Sequence, residues 1–213
     1  MSDALLDSLT ADLRPVRQGA MTRRIVTWLV PAMALSAIIM VLWLDWRWDF
    51  PYALTDPIFW LKFGYTSIFT ILALWATQRL GRPGGSMRKP LIGIGVLIGA
   101  LALTAIVQLA MAEPDRVRPL VMGYTAIVCP LYILSLSVPI LGATMLLMRR
   151  LAPTNLPQAG LAAGLLAGAA SAWVYAFHCG ETGLAFTTIF YTAGISAVAL
   201  VGWLTGPFLL RWR

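Results

Sequence analysis

The chain has 213 residues, of which 59% are hydrophobic and only 12% charged, with a net charge of +7 and a pI near 10. Soluble domains carry charged residues at about a quarter of positions, so an ordinary soluble fold is excluded. Two cysteines are too few for a disulfide scaffold. The basic residues sit in short stretches beside apolar runs, so membrane topology accounts for them and a nucleic-acid patch is not called for.

The first 24 residues form the longest piece without an apolar run, and the spacing predicts a short amphipathic helix within it. Ser2 can cap it, Asp3 stands in its first turn and Pro15 stops it. Leu5, Leu6, Leu9 and Leu13 make a stripe one helix face wide, with Asp3, Asp7, Ser8 and Asp12 on other faces. Surface helices on an anionic leaflet favour Lys and Arg on their polar side. Here no base precedes Arg14, so a ligand for a protein groove is the preferred reading over a helix lying on lipid.

Six apolar stretches follow, at residues 25–44, 58–78, 91–112, 124–148, 158–177 and 187–210. Each has the roughly 20–25 residues that a helix needs to cross a ~30 Å hydrocarbon core. Twelve of the sixteen basic residues fall on one side of these spans, against three aspartates; the other side has four bases against six acids. The positive-inside rule then places both termini in the cytoplasm. The expected fold is an all-α integral membrane protein: a six-helix bundle over 25–213, preceded by a cytoplasmic partner-binding segment at 1–24.

Trp43, Trp46, Trp48, Tyr52 and Trp60 mark one membrane interface, and Trp28, Trp75, Trp203 and Trp212 the other. Gly95 and Gly99 in the third span, and Gly160, Gly164 and Gly168 in the fifth, read as small-residue ridges where helix backbones approach closely. Pro130 and Pro139 are expected to kink the fourth span. Lys62 lies near the outer edge of the second span, where it can snorkel. Ionisable groups at midplane mark pumps and proton-coupled carriers, and no span has an Asp, Glu, Arg or His near its centre. A small transporter or permease subunit is therefore the second choice, one that would need a wide cavity lined by Gln108, Tyr65 and Thr104. A membrane thiol oxidoreductase with a bound quinone ranks third. No catalytic residues are assigned, and neither a small-molecule substrate nor direct nucleic-acid binding is expected.

Cys129 and Cys179 fall at similar depth on the non-cytoplasmic side. Cys129 is placed about one and a half turns into the fourth span, and Cys179 at the end of the fifth, next to His178 and near Glu181. Buried cysteine is a common small apolar residue, so packing alone is one reading. The other is a reactive or soft-metal pair with His178, although three donors fall short of a closed tetrahedral site. Cys129, near a helix N-terminus, is expected to be the readier thiolate, and Cys179 the more exposed thiol.

Two segments carry a family resemblance. The run Leu9-Thr10-Ala11-Asp12-Leu13-Arg14-Pro15-Val16-Arg17, followed by six spans, resembles the NrsF family of bacterial membrane anti-sigma factors. So does Phe177-His178-Cys179-Gly180-Glu181-Thr182, continuing to Tyr191-Thr192-Ala193-Gly194-Ile195, together with Cys129-Pro130. Gly180 departs from it, proline being expected after the cysteine. The resemblance implies an inner-membrane regulator that holds an ECF-type sigma factor through Leu5, Leu6, Leu9, Asp12, Leu13, Arg14 and Arg17. It also implies release under metal or oxidative stress, with Cys129 and Cys179 as the sensing pair and His178 and Glu181 beside them. No cofactor is implied beyond a transient soft metal ion, and the other partner is the lipid bilayer.

Overall fold

The computed structural model describes residues 20–82, 84–151 and 153–211; the expected N-terminal helix, with Leu5, Leu6, Leu9, Asp12, Leu13, Arg14 and Arg17, lies outside these. The described residues are helical with no strand. Five long helices, α1 (Ala20–Leu44), α2 (Pro57–Leu80), α3 (Arg88–Ala110), α5 (Val128–Arg149) and α6 (Leu156–Tyr175), are joined by loops and by a short helix α4 (Pro114–Met122). A last helix, α7, runs from Leu184 to Leu209 and contains one π turn over Thr187–Tyr191.

The helix starts follow local chemistry. Asp56 caps α2 by accepting a hydrogen bond from the Ile58 amide at 2.9 Å, with Pro57 at the first helical position. Asn155 caps α6 through the Gln158 amide at 3.0 Å. Between α3 and α5, Pro114 starts α4 and Gly123, at φ 53°, ends it. The fourth apolar stretch therefore enters its helix at Val128 and not at 124. Cys129 is consequently in the first turn of α5, and Pro130 sits where a missing N–H costs nothing, leaving Pro139 as the proline inside the helix. The fifth stretch likewise ends at Tyr175, so Cys179 lies beyond the helix.

By length and composition, α1, α2, α3, α5 and α7 could each cross a membrane. Their outer faces expose Leu35, Ile71, Val96, Leu103, Leu200 and Phe208, the pattern of a lipid-facing surface. The fifth expected span, α6, does not join them; most of its residues are Gly, Ala, Ser, Pro or Gln. The reason is its position: it packs against α7, α5, α2 and α1 and is buried along nearly its whole length. A helix walled by other helices has no need of large apolar side chains and gains from small ones.

Gly160, Gly164 and Gly168 face α7. A Cβ on Gly164 would stand 2.6 Å from the Val198 carbonyl oxygen and 2.7 Å from the Ala199 Cα, and one on Gly160 would strike the Gly202 carbonyl. The expected ridge on α3 is different: Gly95 and Gly99 have open space where a Cβ would go. Hydroxyls stitch the same core across helices. Ser36 Oγ donates to the Leu136 carbonyl at 2.8 Å, Ser171 Oγ to Ile133 at 3.0 Å, and Thr77 Oγ1 to Ala162 at 3.2 Å. Arg79, Arg82, Arg88, Lys89, Arg149 and Arg150 gather at one end of this up-and-down bundle, and both cysteines at the other.

Gly164→Leu should destabilise the bundle by about 1–3 kcal/mol or more through overpacking, whereas Gly99→Ala, whose Cβ meets open space, should be neutral or stabilising by up to about 1 kcal/mol. Thermal unfolding of the purified proteins in detergent reads the difference; equal stability of the two variants would contradict the α6–α7 packing.

Candidate functional site

Residues 176–183 join α6 to α7; the Ala176, Phe177, His178 and Cys179 amides still bond back to α6, but the Phe177, Cys179 and Thr182 carbonyls need partners from elsewhere. The partners come from four other parts of the chain. After α1, the Arg47 amide donates to the Phe177 carbonyl at 3.3 Å, and His178 Nδ1 lies 2.9 Å from the Asp45 carbonyl; a carbonyl only accepts, so Nδ1 carries the proton. From α2, Lys62 Nζ donates to the Cys179 carbonyl at 3.1 Å. From α3, Gln108 Nε2 donates to the Thr182 carbonyl at 3.2 Å while its Oε1 accepts from the Leu184 amide at 2.8 Å. From the turn before α5, the Tyr124 and Thr125 amides donate to Glu181 Oε1 at 2.7 and 3.1 Å, and Thr125 Oγ1 lies 3.0 Å from the same oxygen.

Glu181 explains the glycine at 123. With φ at 53°, that backbone favours glycine, and a Cβ there would stand 2.5 Å from Glu181 Oε2. Beside the Phe177 link, the Arg47 guanidinium grips Asp49 with two contacts at 2.5 and 2.6 Å. That hydrogen-bonded pairing holds the Asp49 carboxyl below the usual carboxylate range.

Behind the segment is a buried cluster of side chains. Cys129 is 0% exposed, Cys179 3% and Lys62 1%, and neither cysteine is in a disulfide. Tyr175 lies against Cys129 and Tyr191 against Cys179, with the two rings 5.7 Å apart. Among the described residues neither buried phenol oxygen has a hydrogen-bond partner. Tyr191 ends the π turn of α7, the kind of helical irregularity that often marks a functional position.

The profile of the family described as "NrsF: Negative regulator of sigma F" matches residues 9–212. The chain belongs to this family. The anti-sigma-F factor NrsF of Caulobacter vibrioides (strain NA1000 / CB15N) is 37% identical over 215 residues, which cover 99% of each chain. The probable anti-sigma-F factor NrsF of Azospira oryzae (strain ATCC BAA-33 / DSM 13638 / PS) is 39% identical over 177 residues, 83% of each chain. No solved structure matches.

The NrsF match takes in Leu9, Asp12, Leu13, Arg14 and Arg17 and both cysteines, while Leu5 and Leu6 precede it. The structure buries Cys129 and Cys179 near one another but revises their surroundings. Cys179 is buried like Cys129, at 3% against 0% exposed, so the expected difference in exposure between the two thiols is slight. Lys62 does not snorkel; it turns inward. Glu181 clasps the turn before α5, and His178 Nδ1 is committed to Asp45. Among the described residues no three His, Cys, Asp or Glu side chains are arranged to hold a metal ion, so Cys129, Cys179 and His178 are not assembled as a ligand set. A groove of about 230 Å³ between α2 and α3 is lined by Tyr65 and Thr104 but not Gln108, and Tyr65 Oη is hydrogen-bonded to Thr192 Oγ1 at 2.7 Å. Lys62, Tyr175 and Tyr191 are the site residues that sequence reading passed over; a lysine inside an apolar run on the side of both cysteines was the available signal.

Glu181→Ala should lower stability by about 1–3 kcal/mol, the scale for losing hydrogen bonds to a charged acceptor, and should speed maleimide labelling of Cys179. Labelling and melting that match wild type would show the clasp to be incidental. The Arg47–Asp49 pair makes a pH prediction. Because the folded carboxyl is held low, its stabilisation is complete above the ordinary carboxylate range and is lost as pH falls through the lowered value. Asp49→Asn should flatten that part of the acid-side stability profile, measured as melting temperature against pH.

Proposed function

We propose that this chain is a bacterial inner-membrane anti-sigma factor with six spans and both termini in the cytoplasm. Its N-terminal helix occupies a groove of an ECF-type sigma factor and keeps it from core RNA polymerase. The observation that carries this reading is the 37% identity, end to end, to a protein named anti-sigma-F factor. The charge asymmetry of the loops supports the orientation. Close packing of α6 against α7 supports its passage through the bilayer as a sixth, lipid-shielded span.

Signal enters at the opposite end. Metal or oxidative stress alters the buried Cys129 and Cys179, the segment between α6 and α7 rearranges, and the sigma factor is released. Support comes from the location of the thiols. One sits in the first turn of α5 and the other in the segment to which four other parts of the chain are hydrogen-bonded, so a chemical change at either bears directly on that network.

The N-terminal helix is too short to be stable alone in water and orders on binding. Each of Leu9→Ala and Leu13→Ala should cost about 2–4 kcal/mol of binding if buried in the groove. Co-expression with the sigma factor followed by pull-down on the membrane protein should show capture nearly abolished in the double variant; undiminished capture would sink the docking mode. Replacing both cysteines by serine should leave capture intact and abolish release by an oxidant or soft metal. Release from that variant at the wild-type dose would remove the cysteines from the signal.

A further inference from the structure

Lys62 is a buried cation that pairs with no carboxylate among the described residues. The ion pairs there are Arg47–Asp49 and Arg116–Glu113, so Lys62 belongs to neither. Asp49 feels its charge, but the Arg47 guanidinium already holds that carboxylate. An ammonium has three donors. One goes to the Cys179 carbonyl, the Cys179 Sγ lies 3.8 Å from Nζ, and the Tyr191 ring is 5.9 Å away.

A cation near a helix C-terminus is favourable by itself, and a purely structural role as a cap on α6 is the rival explanation. The hydrogen bonding speaks against it. The last α6 carbonyls are already used: Val174 O accepts from the Phe177 amide at 3.2 Å, and Tyr175 O from the His178 and Cys179 amides at 3.0 and 3.1 Å. Lys62 reaches past them to the residue that carries the thiol. The second observation is independent of Lys62. The Tyr191 hydroxyl, fully buried beside Cys179, has no acceptor among the described residues. Buried polar groups of this kind require an explanation, and an anionic sulfur would provide the acceptor.

We propose that Lys62 and Cys179 form a buried ammonium–thiolate pair, which makes Cys179 the nucleophilic thiol of this protein. Cys129, at the start of α5, is equally buried but has no Lys or Arg hydrogen-bonded to its sulfur among the described residues. The roles expected from helix position alone are thereby reversed. The biological consequence rests on the reading of the cysteines as the sensing pair; the charge pairing does not. When the Cys179 sulfur attacks iodoacetamide, a carbon–sulfur bond forms, the carbon–iodine bond breaks and iodide leaves with the bonding electrons. Lys62 keeps its protons and loses its counter-anion. An uncompensated charge is then stranded beside the segment that carries Cys179, and burying an unpaired ion is costly enough to open its surroundings.

The test is the infrared S–H stretching band, which lies in a spectral window free of other protein absorption and needs no reagent to reach the site. Full-length Cys129→Ala protein in lipid nanodiscs at neutral pH has one cysteine. It should show no S–H band, Lys62→Met in that background should restore one, and Lys62→Arg should keep it absent. A clear S–H band from Cys179 with Lys62 in place overturns the proposal, whether or not the Lys62→Met protein folds. Absence of the band both with Lys62 in place and in the Lys62→Met variant would overturn the part assigned to Lys62. The sensing reading fails separately: sigma-factor release that persists in Cys179→Ser would defeat it without touching the infrared result.

Discussion

The structure depends on how eight non-helical residues are accommodated at one end of a helix bundle. Residues 176–183 leave α6 before its apolar surroundings end; their first amides bond back to α6, but the Phe177, Cys179 and Thr182 carbonyls are met from other parts of the chain. In a low-dielectric environment an unpaired carbonyl or amide costs several kcal/mol, so the rest of the chain supplies partners. Asp45, Arg47, Lys62, Gln108 and the Tyr124–Thr125 turn each spend a polar group on this segment. Polar residues that stand at the ends of several helices thus serve one short stretch. It follows that the stretch cannot move alone, because any displacement exposes partners on four other parts of the chain.

Opposite in character is the contact between α6 and α7. There the glycines at 160, 164, 202 and 206 bring backbones so close that no side chain intervenes. Such packing gains dispersion energy from rigid surfaces and loses little side-chain entropy, since small residues have none to lose. The two helices form a stiff pair whose covalent connection is the polar segment. A stiff pair joined by a hydrogen-bonded linker can hold two discrete arrangements, whereas a loosely packed pair would absorb a local change without passing it on.

The all-helical fold and the order of its long apolar helices were readable from apolar length, because that signal comes from the solvent each helix meets. The same signal placed boundaries poorly at both cysteines. Hydropathy continues through residues 124–127, but Gly123 and the Glu181 clasp hold that stretch as a turn, and the clasp is not local in sequence. Gly95 and Gly99 matched the pattern of Gly160 and Gly164, yet they face open space, since spacing reveals a small face and not what lies opposite. Lys62 was misplaced for a similar reason. A lysine near a span end normally reaches for water, and only the tertiary position of the Cys179 carbonyl offers it a partner inside.

The route from the buried cysteines to the opposite end of the bundle is short in covalent terms. Helix α1 continues from the proposed partner-binding segment, and its far end is hydrogen-bonded through Asp45 and Arg47 to His178 and Phe177, the two residues before Cys179. Along its length α1 is tied to α5, which carries Cys129, by the Ser36–Leu136 hydrogen bond and the Trp43–Tyr132 ring contact at 5.5 Å. Both thiols therefore bear on the same helix, one through its terminal loop and one through its neighbour. In the proposed mechanism a tilt or slide of α1 would need no unfolding, only exchange of a few hydrogen bonds at its end, with Pro31 inside the helix as the place where it can bend. Coupling of this kind requires the bonds at the cysteine end to be strong enough to hold the resting arrangement and few enough to be released by one chemical event. The single amide link and single imidazole link between α1 and the junction are few enough for the proposed mechanism.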